Sequence, residues 1–454
     1  MKHSEANQKQ DSQKSIPAPP GRLPLGYANE LQSDVLGLSS RLGREYGGIV
    51  RVPIPAKRLY IVSDADLVHD ILVQTEQTFL KGSQNARFEP LLGRGLVLSN
   101  GTHWKRQRRL MNPFFSPAAI RSFESHIQSA IEEIILPWKD LAGQIDVHSE
   151  MQRVTIHIIL SSLFSGEAKK DSETLVESFH TLSNFCIQRF FSPFPLPLSL
   201  AYLFKPGVRR AHEKLETVIR ELIRNRRKST ERPPDLLTML IEARDEDTGE
   251  QMTDAEVRDE LMTIFFAGYD TTSFALTMTL WLLSQNTEIR KSLESQADEK
   301  ISGAMTTEEE TRGLTGIAQA FQEAMRLYPP VYMVNRTPIE DVNIGGYVLA
   351  RSSLVLLSIW DIHRSEKYWK DPLVFDPGRF SDENLSAMRR TFLPFGGGSR
   401  ACIGKNLALM EGPMILGTIL KHFRLDALKN YTPKIETGAT LSLANGMPMI
   451  LTVR

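Results

Sequence analysis

The sequence has little cysteine, no excess of charge of either sign and no apolar stretch at its N-terminus. Two cysteines, Cys186 and Cys402, occur among 454 residues, which excludes a disulfide framework and favours the cytoplasm as the compartment. Basic and acidic side chains number 54 each, so no global charge attracts nucleic acid. Because residues 1–20 are polar, we expect a disordered tail there and no transmembrane anchor.

Residues 261–283 form the one stretch that is long and apolar enough to be mistaken for a membrane span. Asp270 lies at its centre, and a carboxylate there costs about 2.5–3.5 kcal/mol on insertion scales. We therefore interpret the stretch as a buried helix in a large core. Thr253 followed by Glu256 matches a capping box, which predicts that the helix begins near Asp254.

Helical periodicity dominates the rest of the chain. Residues 118–141 and 207–229 have the apolar spacing of amphipathic helices, and a helix that leads into Tyr328 must stop because two prolines follow. Strand-like segments are short and lie at 47–54, 58–64, 342–350 and 352–363. The pattern predicts a mainly α protein with a small antiparallel β subdomain, organised as a single domain over residues 21–454.

One connection between the helices is apolar and interrupted by prolines, residues 190–204. It cannot be a regular helix throughout. An exposed binding or access surface and a buried connection are both consistent with this composition.

Cys402 ends a glycine-rich loop, residues 392–404, and precedes an apolar stretch that is typical of a helix. The glycines allow close approach to a flat ligand. A helix N-terminus lowers the pKa of a thiol and stabilises the thiolate that an iron ligand requires. A small buried cysteine is the alternative. Two other motifs that the glycines suggest are excluded. A dinucleotide-binding fingerprint needs a preceding strand, which Pro394 interrupts. A nucleophile elbow, G-x-S-x-G, needs a glycine at the position of Ala401.

Two pairs of polar residues lie on apolar helices. Glu323 and Arg326 share a face of one helix; they are either a surface pair or a buried pair that needs a further partner, for which Arg379 is the candidate. Asp270 and Thr271 follow a notch of small residues. An acid and an alcohol there suit a proton relay or an ordered water, although neighbouring backbone could satisfy them instead.

Trp104 and Arg108 lie four residues apart, and hence on one helix face. Indole and guanidinium groups only donate hydrogen bonds, so together they fit an anion such as a carboxylate. An exposed basic helix is the alternative.

In their order along the chain, these four groups of residues resemble the motifs of the cytochrome P450 superfamily of haem-thiolate monooxygenases. The resemblance covers the chain from about residue 20 onward. The family's cysteine motif, F-x-x-G-x-R-x-C-x-G, is matched by Phe395, Gly398, Arg400, Cys402 and Gly404. Its E-x-x-R motif is matched by Glu323 and Arg326, and its A/G-G-x-D/E-T-T/S motif by residues 267–272. Its W-x-x-x-R motif is matched by Trp104 and Arg108. Ala408 and Glu411 match the continuation of the cysteine motif, while the usual P-E-R-F is here PGRF.

The resemblance implies the cytochrome P450 fold and haem b as cofactor. Cys402 would be the axial thiolate ligand of the iron, and Glu323, Arg326 and Arg379 would stabilise the scaffold behind it. Asp270 and Thr271 would deliver protons during oxygen activation. The arginines and the tryptophan would bind the haem propionates. The residues expected to hold haem are Trp104, Arg108, Arg336, Ala267, Gly268, Phe395, Arg400, Cys402 and Gly404.

The implied reaction inserts one atom of O2 into a lipophilic substrate, as hydroxylation or epoxidation, and reduces the other to water. Two electrons would come from NAD(P)H through a separate ferredoxin, flavodoxin or reductase. We expect this donor to be acidic and to dock at basic residues near the haem, and we expect a cytoplasmic monomer that binds no nucleic acid. The basic residues are Lys105, Arg106, Arg109 and Lys405.

The family's pocket positions are mostly large and apolar in this chain, which is consistent with a fatty acid, terpenoid, steroid or polyketide substrate. Three other functions compete: a peroxygenase or isomerase, a haem-binding sensor or carrier, and a cysteine hydrolase. The complete acid–alcohol pair favours the monooxygenase, and no histidine lies close to Cys402 in sequence. The pocket positions are Phe88, Leu91, Phe265, Phe266, Val331, Met333, Val334 and Met447.

Overall fold

The structure is a computed structural model that describes residues 14–21, 25–55, 57–74, 78–141, 143–192, 195–384 and 386–454. Most of these residues are helical, as predicted. In chain order the α-helices are α1 Ala28–Ser33, α2 Val35–Tyr46, α3 Ala65–Val73, α4 Glu89–Leu92, α5 Gly101–Met111, α6 Pro117–Ile120, α7 Glu124–Ala130, α8 Val147–Phe164, α9 Ser172–Phe191, α10 Leu198–Phe204, α11 Pro206–Lys228, α12 Leu236–Glu242, α13 Asp254–Gln285, α14 Thr287–Lys300, α15 Glu308–Thr311, α16 Thr315–Leu327, α17 Ile359–His363 and α18 Lys405–His422.

The strands are short. They are β1 Ile49–Ile54, β2 Lys57–Val62, β3 Phe79–Leu80, β4 Gly143–Asp146, β5 Met333–Pro338, β6 Val342–Ile344, β7 Tyr347–Leu349, β8 Leu354–Ser358, β9 Phe423–Ala427, β10 Ile435–Thr437, β11 Leu441–Leu443 and β12 Pro448–Val453. The elements form two compact units. Unit 1 consists of Met1–Gly82, Met333–Ile362 and Gly396–Arg400, and unit 2 of Ser83–Tyr332, His363–Phe395 and Ala401–Arg454.

Unit 1 contains a five-stranded sheet in the order β1-β2-β8-β5-β3. Three of its strand pairs are antiparallel, but β2 and β8 run parallel, with Leu59 opposite Leu354. The predicted small antiparallel β subdomain is confirmed, and the parallel pair of β2 and β8 is an addition to it. Strands so distant in sequence are not joined by a hairpin, so either direction is open to them. The sheet packs on α2 through a buried cluster that includes Leu38, Leu42 and Val50.

Part of the segment expected to be a disordered tail makes regular backbone contacts in unit 1. The Lys14 amide donates to the carbonyl of Gly346 at 2.9 Å, and the Arg51 amide donates to the carbonyl of Pro17 at the same distance. The first 13 residues of that expected tail lie outside the described residues.

Unit 2 is built around α13, the helix predicted from the 261–283 stretch. Its N-cap is Thr253, and the predicted capping box with Glu256 is formed in both directions. Most side chains from Leu261 to Leu283 are buried, because neighbouring helices surround α13. The apolar composition thus reflects burial in protein. Among the described residues, no helix is both long and apolar enough to cross a membrane.

Two other predicted helices of unit 2 are present, and a third is interrupted near a proline. The predicted 207–229 helix is α11, and α16 ends at Leu327, ahead of the two prolines. The predicted single helix over 118–141 was wrong: α7 gives way to a π-turn at Ile131–Ile135 and a 3₁₀ turn at Leu136–Asp140. Pro137 lacks the amide that would continue an α-helix, which explains the break.

The described part of the proline-rich 190–204 connection has exposed apolar side chains. Helix α9 ends at Phe191, and α10 begins at Leu198. Leu203 and Phe204 of α10 are each 71% exposed. Of the two alternatives for this segment, the exposed apolar surface is therefore the one observed.

Candidate active site

Cys402 lies directly before a helix, as predicted. Its amide donates to the carbonyl of Phe395 at 2.9 Å, which closes the loop. Gly404 is the N-cap of α18, and a Cβ atom at Gly404 would lie 3.9 Å from the Cys402 sulfur. Cys402 is accessible to solvent. The sulfur is thus presented at the start of α18, where a ligand can reach it.

The electrostatics of Cys402 differ from the prediction. Protein atoms surround the thiol closely enough that desolvation raises its pKa, and this outweighs the lowering effects of the Gly404 and Lys405 amides and of Arg108. The predicted influences are present, but their sum has the opposite sign to the one expected. A bound metal ion displaces the proton of a coordinating thiol outright, so an iron ligand does not require a low pKa in the protein alone.

Helix α5 carries Trp104 and Arg108 and places Arg108 beside the cysteine. Trp104 is buried, and Nη1 of Arg108 donates to the carbonyl of Ala401 at 3.0 Å. Burial lowers the pKa of Arg108, while the nearby Cys402 raises it. A guanidinium has five N–H donors, so the contact with Ala401 uses one of them and attaches α5 to the residue next to Cys402.

The glycines before Cys402 serve packing as well as access. Gly398 has φ +65°, and a Cβ there would lie 2.2 Å from the carbonyl oxygen of Leu72, so unit 1 requires glycine at this position to admit the backbone of α3. Around Gly396, which has φ +68°, space is open. Arg400 and Arg336 also belong to unit 1. Arg336 is buried on β5, and its Nη1 donates to the carbonyl of Asn335 at 2.8 Å.

The centre of α13 has one open face. Ala267 is exposed although Phe265 and Tyr269 on either side are buried. The Thr271 hydroxyl donates to the Ala267 carbonyl at 2.7 Å. A Cβ at Gly268 would lie 3.1 Å from Cδ1 of Ile159, so the small residue also lets α13 pack closely on α8. The predicted notch is present.

Asp270 has few hydrogen-bond donors. The Thr440 hydroxyl donates to its Oδ2 at 3.1 Å. Burial raises the pKa of the carboxyl, and hydrogen bonds from Thr440 and Gln152 lower it only in part. A carboxyl in this state holds a proton more readily than an exposed one, as a proton donor requires.

Glu411 is a buried acid next to this group that the sequence identified only as a motif match. It lies on α18 and accepts a hydrogen bond from the Thr272 hydroxyl at 2.9 Å. Desolvation raises its pKa to about 7. The signal in the sequence was an acid within the long apolar stretch after Cys402.

The predicted scaffold of Glu323, Arg326 and Arg379 is assembled. Nε and Nη2 of Arg326 donate to the two Glu323 oxygens at 2.7 and 2.8 Å, and Nε of Arg379 lies 3.4 Å from Oε1 of Glu323. Glu323 and Arg326 are fully buried, so the surface-pair alternative is wrong. Arg326 also donates to the carbonyls of His363 and Pro372 at 2.6 and 2.7 Å.

His363 connects this scaffold to the cysteine loop. Its Nε2 accepts from the amide of Leu393 at 2.8 Å, so Nδ1 carries the proton and donates to the carbonyl of Arg326 at 3.1 Å. Complete burial lowers its pKa to about 3. A neutral imidazole of one tautomer thus joins α16 to the residues that lead into Cys402.

The basic residues of α5 are not all available to a partner. Arg106 pairs with Glu256 at 2.8 Å, and Arg109 pairs with Asp245 and Asp247, at 2.7 Å each. Lys105 and Lys405 are exposed.

The sequence profile described as Cytochrome P450 matches residues 17–450. The chain belongs to the cytochrome P450 family. It is 30% identical over 414 residues to cyclooctat-9-en-7-ol 5-monooxygenase of Streptomyces melanosporofaciens, covering 89% of this chain and 88% of that protein. It is 28% identical over 415 residues to pentalenene oxygenase of Streptomyces avermitilis, covering 89% and 90%.

A solved structure, the haem domain of cytochrome P450DA, has the same fold as this P450. The TM-score is 0.89 at 25% sequence identity, and the match covers 97% of this chain and 98% of that chain. The P450 fold predicted from the motifs is confirmed. The protein is a haem-dependent monooxygenase that uses O2.

The described residues of unit 2 have the donors that haem needs. Cys402 presents a sulfur at a helix start, and a thiolate is one of the axial ligands that hold haem iron. Trp104 and Arg108 supply donors for an anionic propionate from the same helix that contacts Ala401. Ala267, the exposed residue at the centre of α13, has only a methyl side chain. These residues therefore fit the cofactor of the family.

Proposed function

We propose that this P450 oxidises a terpenoid-sized lipophilic substrate. The observation that carries the proposal is an apolar aromatic wall beside the open face of α13: the ring of Phe88 lies 5.6 Å from that of Phe266 and 5.7 Å from that of Phe190. Such a wall recognises shape and apolar area more than polar groups. Two similar proteins are named for oxidation of cyclooctat-9-en-7-ol and of pentalenene, and fatty acids, steroids and polyketides are the competing classes.

We propose that Cys402 would ligate the haem iron and that Trp104 and Arg108 would hold a propionate. When bound, haem supplies the iron that activates O2 for insertion into the substrate. Phe395, Gly404, Ala267 and Gly268 would contact the cofactor, and Arg400 and Arg336 would bind its propionates. This assignment is supported by the solvent accessibility of Cys402 and by the contact of Arg108 with Ala401.

We propose that Asp270 and Thr271 supply the protons of the reaction. The raised pKa of Asp270 keeps a proton on its carboxyl. Thr271 is the next residue, and its hydroxyl is held by the carbonyl of Ala267 on the open face. Asp270 would regain its proton through its polar neighbours Thr440 and Gln152.

We propose that electrons reach the protein from NAD(P)H through a separate ferredoxin, flavodoxin or reductase. Because acids within the chain neutralise Arg106 and Arg109, Lys105 and Lys405 are the better candidates for docking an acidic donor. Two cysteines in 454 residues favour a cytoplasmic protein, and we infer that it acts as a monomer organised as a single domain over residues 21–454.

The ligand assignment is tested by comparing the carbon monoxide difference spectra of Cys402→Ser and Cys186→Ser. Cys186 is fully buried, and burial raises its pKa to about 12, so its replacement leaves a ligand at Cys402. We expect the thiolate-type carbonyl band to disappear only in Cys402→Ser. Retention of the band in that variant would refute the assignment.

The substrate class is tested by a spectral binding screen of the holoenzyme. Cyclic terpenes, fatty acids, steroids and polyketide lactones are titrated while the haem absorption is followed. We expect cyclic terpenes to give the largest shift, and Phe88→Ala to weaken their binding about tenfold through lost apolar contact. A shift given only by fatty acids or only by steroids would replace the terpenoid proposal with that class.

A further inference from the structure

Glu260 is a buried carboxyl on α13 that the proposed mechanism does not use. It lies seven residues, or about two helical turns, before Ala267 and is completely buried. The amide of Leu96 donates to its Oε2 at 3.0 Å, and Nε2 of Gln107 donates to its Oε1 at 3.2 Å. One carboxyl therefore joins α13 to two other parts of the chain.

The first of these parts, residues 93–96, is pressed against α13. A Cβ at Gly95 would lie 2.6 Å from the carbonyl oxygen of Asp259 and 2.2 Å from Oγ1 of Thr263. The amide of Arg94 donates to Oδ2 of Asp259 at 2.7 Å. Adjacent acids on α13 thus bind alternate amides of the 93–96 segment, and glycine is needed for this close approach.

The second part is α5, the helix that carries Trp104 and Arg108. Gln107 is buried on this helix, next to Arg108 and three residues after Trp104. Its contact with Glu260 acts together with the pairing of Arg106 and Glu256 to hold the rotation of α5 relative to α13, since a helix that turns would withdraw the Gln107 amide. The orientation of the indole and the guanidinium follows from that rotation.

We propose that Glu260 is a positioning residue that ties both the 93–96 segment and α5 to α13, and so sets the orientation of Trp104 and Arg108. The effect on the cofactor rests on the proposed role of these two residues in holding haem. An apolar residue of similar size would avoid the desolvation of a buried carboxyl, but it would offer no acceptor to either Leu96 or Gln107.

Protonation of Glu260 provides an independent signal of this role. Burial raises its pKa to about 8, and the charges of Asp259 and Glu256 contribute. The other charged or titratable groups around the contact are Arg258 on α13, Arg94 on the segment, and His103 and Arg106 on α5. Because the pKa is raised while Glu260 is buried in these contacts, ionisation favours states in which the carboxyl is exposed, so the tie should weaken as pH rises from 4.5 to about 8 and change little above that.

The test measures hydrogen exchange of the holoenzyme in peptides covering residues 91–100 and 101–111, together with the rate of haem transfer to apomyoglobin. Glu260→Ala should raise exchange at least tenfold in both peptides and speed haem loss about tenfold. Gln107→Leu should raise exchange in α5 and speed haem loss while sparing residues 93–96. The matched control, Asp259→Asn, should raise exchange at residues 93–96 only.

The conservative variant Glu260→Gln keeps an acceptor for Leu96 but meets Gln107 with a second amide. We expect intermediate exchange. Because only the wild type loosens as residue 260 ionises, the ratio of the variant's haem-loss rate to that of the wild type should fall as pH rises to about 8. The proposal is overturned if Glu260→Ala leaves both peptides unchanged, if Asp259→Asn loosens α5 equally, or if the ratio is independent of pH. Should Glu260→Ala fail to fold, Gln107→Leu and Glu260→Gln decide the question.

Arg108→Leu separates this proposal from the function on which it rests. If Arg108→Leu does not speed haem loss, the assignment of the propionate site is wrong, although the exchange results still report whether Glu260 positions α5. If it does speed haem loss while Glu260→Ala changes neither peptide, the site assignment survives and the positioning role is rejected.

Discussion

The buried acid Glu323 and the buried acids Glu411 and Asp270, all in unit 2, differ in their hydrogen-bond donors. Glu323 on α16 receives four hydrogen bonds, two from Arg326, one from the amide of Asp376 and one from Arg379. Glu411 accepts one from Thr272, and Asp270 accepts from Thr440 and Gln152. The first acid has cationic partners, whereas the other two have only neutral donors.

The difference separates an acid that holds the scaffold from acids that can exchange a proton. A carboxylate that accepts bidentate hydrogen bonds from an arginine is held in place. With few neutral donors, burial dominates and the pKa rises, as it does for Asp270 and Glu411. The partners of a buried acid, more than its burial, therefore indicate its role.

The largest effect is expected at Arg326. Replacing it with leucine leaves the buried Glu323 with only the amide of Asp376 and the more distant Arg379 as donors, and it removes the donors to the carbonyls of His363 and Pro372. We expect a loss of about 3–5 kcal/mol in the free energy of unfolding and little holoprotein. Chemical unfolding and haem content of the purified protein measure this.

A matched control is the exposed pair on α15, in which Arg312 contacts Glu308 at 3.0 Å. Arg312→Leu should change stability by no more than about 0.5 kcal/mol. Equal losses in the two variants would show that burial and partner number do not set the value of the pair.

The sequence predicted this scaffold well because its signals are local. Glu323 and Arg326 lie on one helix face, the capping box marks the start of α13, and prolines end α16. Even Arg379 was identified, since a buried ion pair requires another partner. Helices and motif positions are therefore readable from spacing and chemistry alone.

Features that depend on distant residues were not predicted. The parallel pairing of β2 with β8 and the neutralisation of Arg109 by Asp245 both join segments more than 100 residues apart. The same holds for Gly398, whose close neighbour is the backbone of Leu72. Charge and composition along the chain do not reveal which segments will contact each other. The number of basic residues on α5 that are available to a partner was therefore overestimated.

Glu411→Gln is expected to have the next largest effect, through the pH dependence of stability. The pKa of Glu411 is raised from 4.5 to about 7 in the folded protein, so between these values the folded state binds more protons than the unfolded state. Stability therefore falls as pH rises across this window and changes no further above it, by up to about 3 kcal/mol in total. Glutamine removes this slope.

The measurement is the difference in unfolding free energy between Glu411→Gln and the wild type at several pH values from 4.5 to 8. The variant should gain on the wild type as pH rises to about 7 and then keep its advantage. A constant difference would contradict the raised pKa of Glu411.

Asp270→Asn should slow catalysis while leaving the fold intact. The amide keeps a contact with Thr440 but cannot supply a proton, so we expect product formation to fall about 100-fold, as for loss of a general acid, with unchanged haem content and substrate binding. Steady-state turnover and spectral titration measure the two quantities. Thr271→Ala should instead keep electron consumption and release peroxide; full coupling in that variant would contradict its part in proton delivery.

The smallest effect is expected at Arg379, the outermost donor to Glu323. Its Nε lies 3.4 Å from the carboxylate, its Nη2 donates to the carbonyl of Asp371 at 3.0 Å, and its side chain is 13% exposed. Since Arg326 still neutralises Glu323, Arg379→Leu should cost about 1–2 kcal/mol. Arg379→Lys, which keeps the charge but not the fork of donors, should recover only part of this. A different outcome is that Arg379→Leu costs as much as Arg326→Leu and the double variant costs no more than either. The four donors would then act as one unit. In that case the integrity of the network, and not the number of partners, would distinguish Glu323 from Asp270.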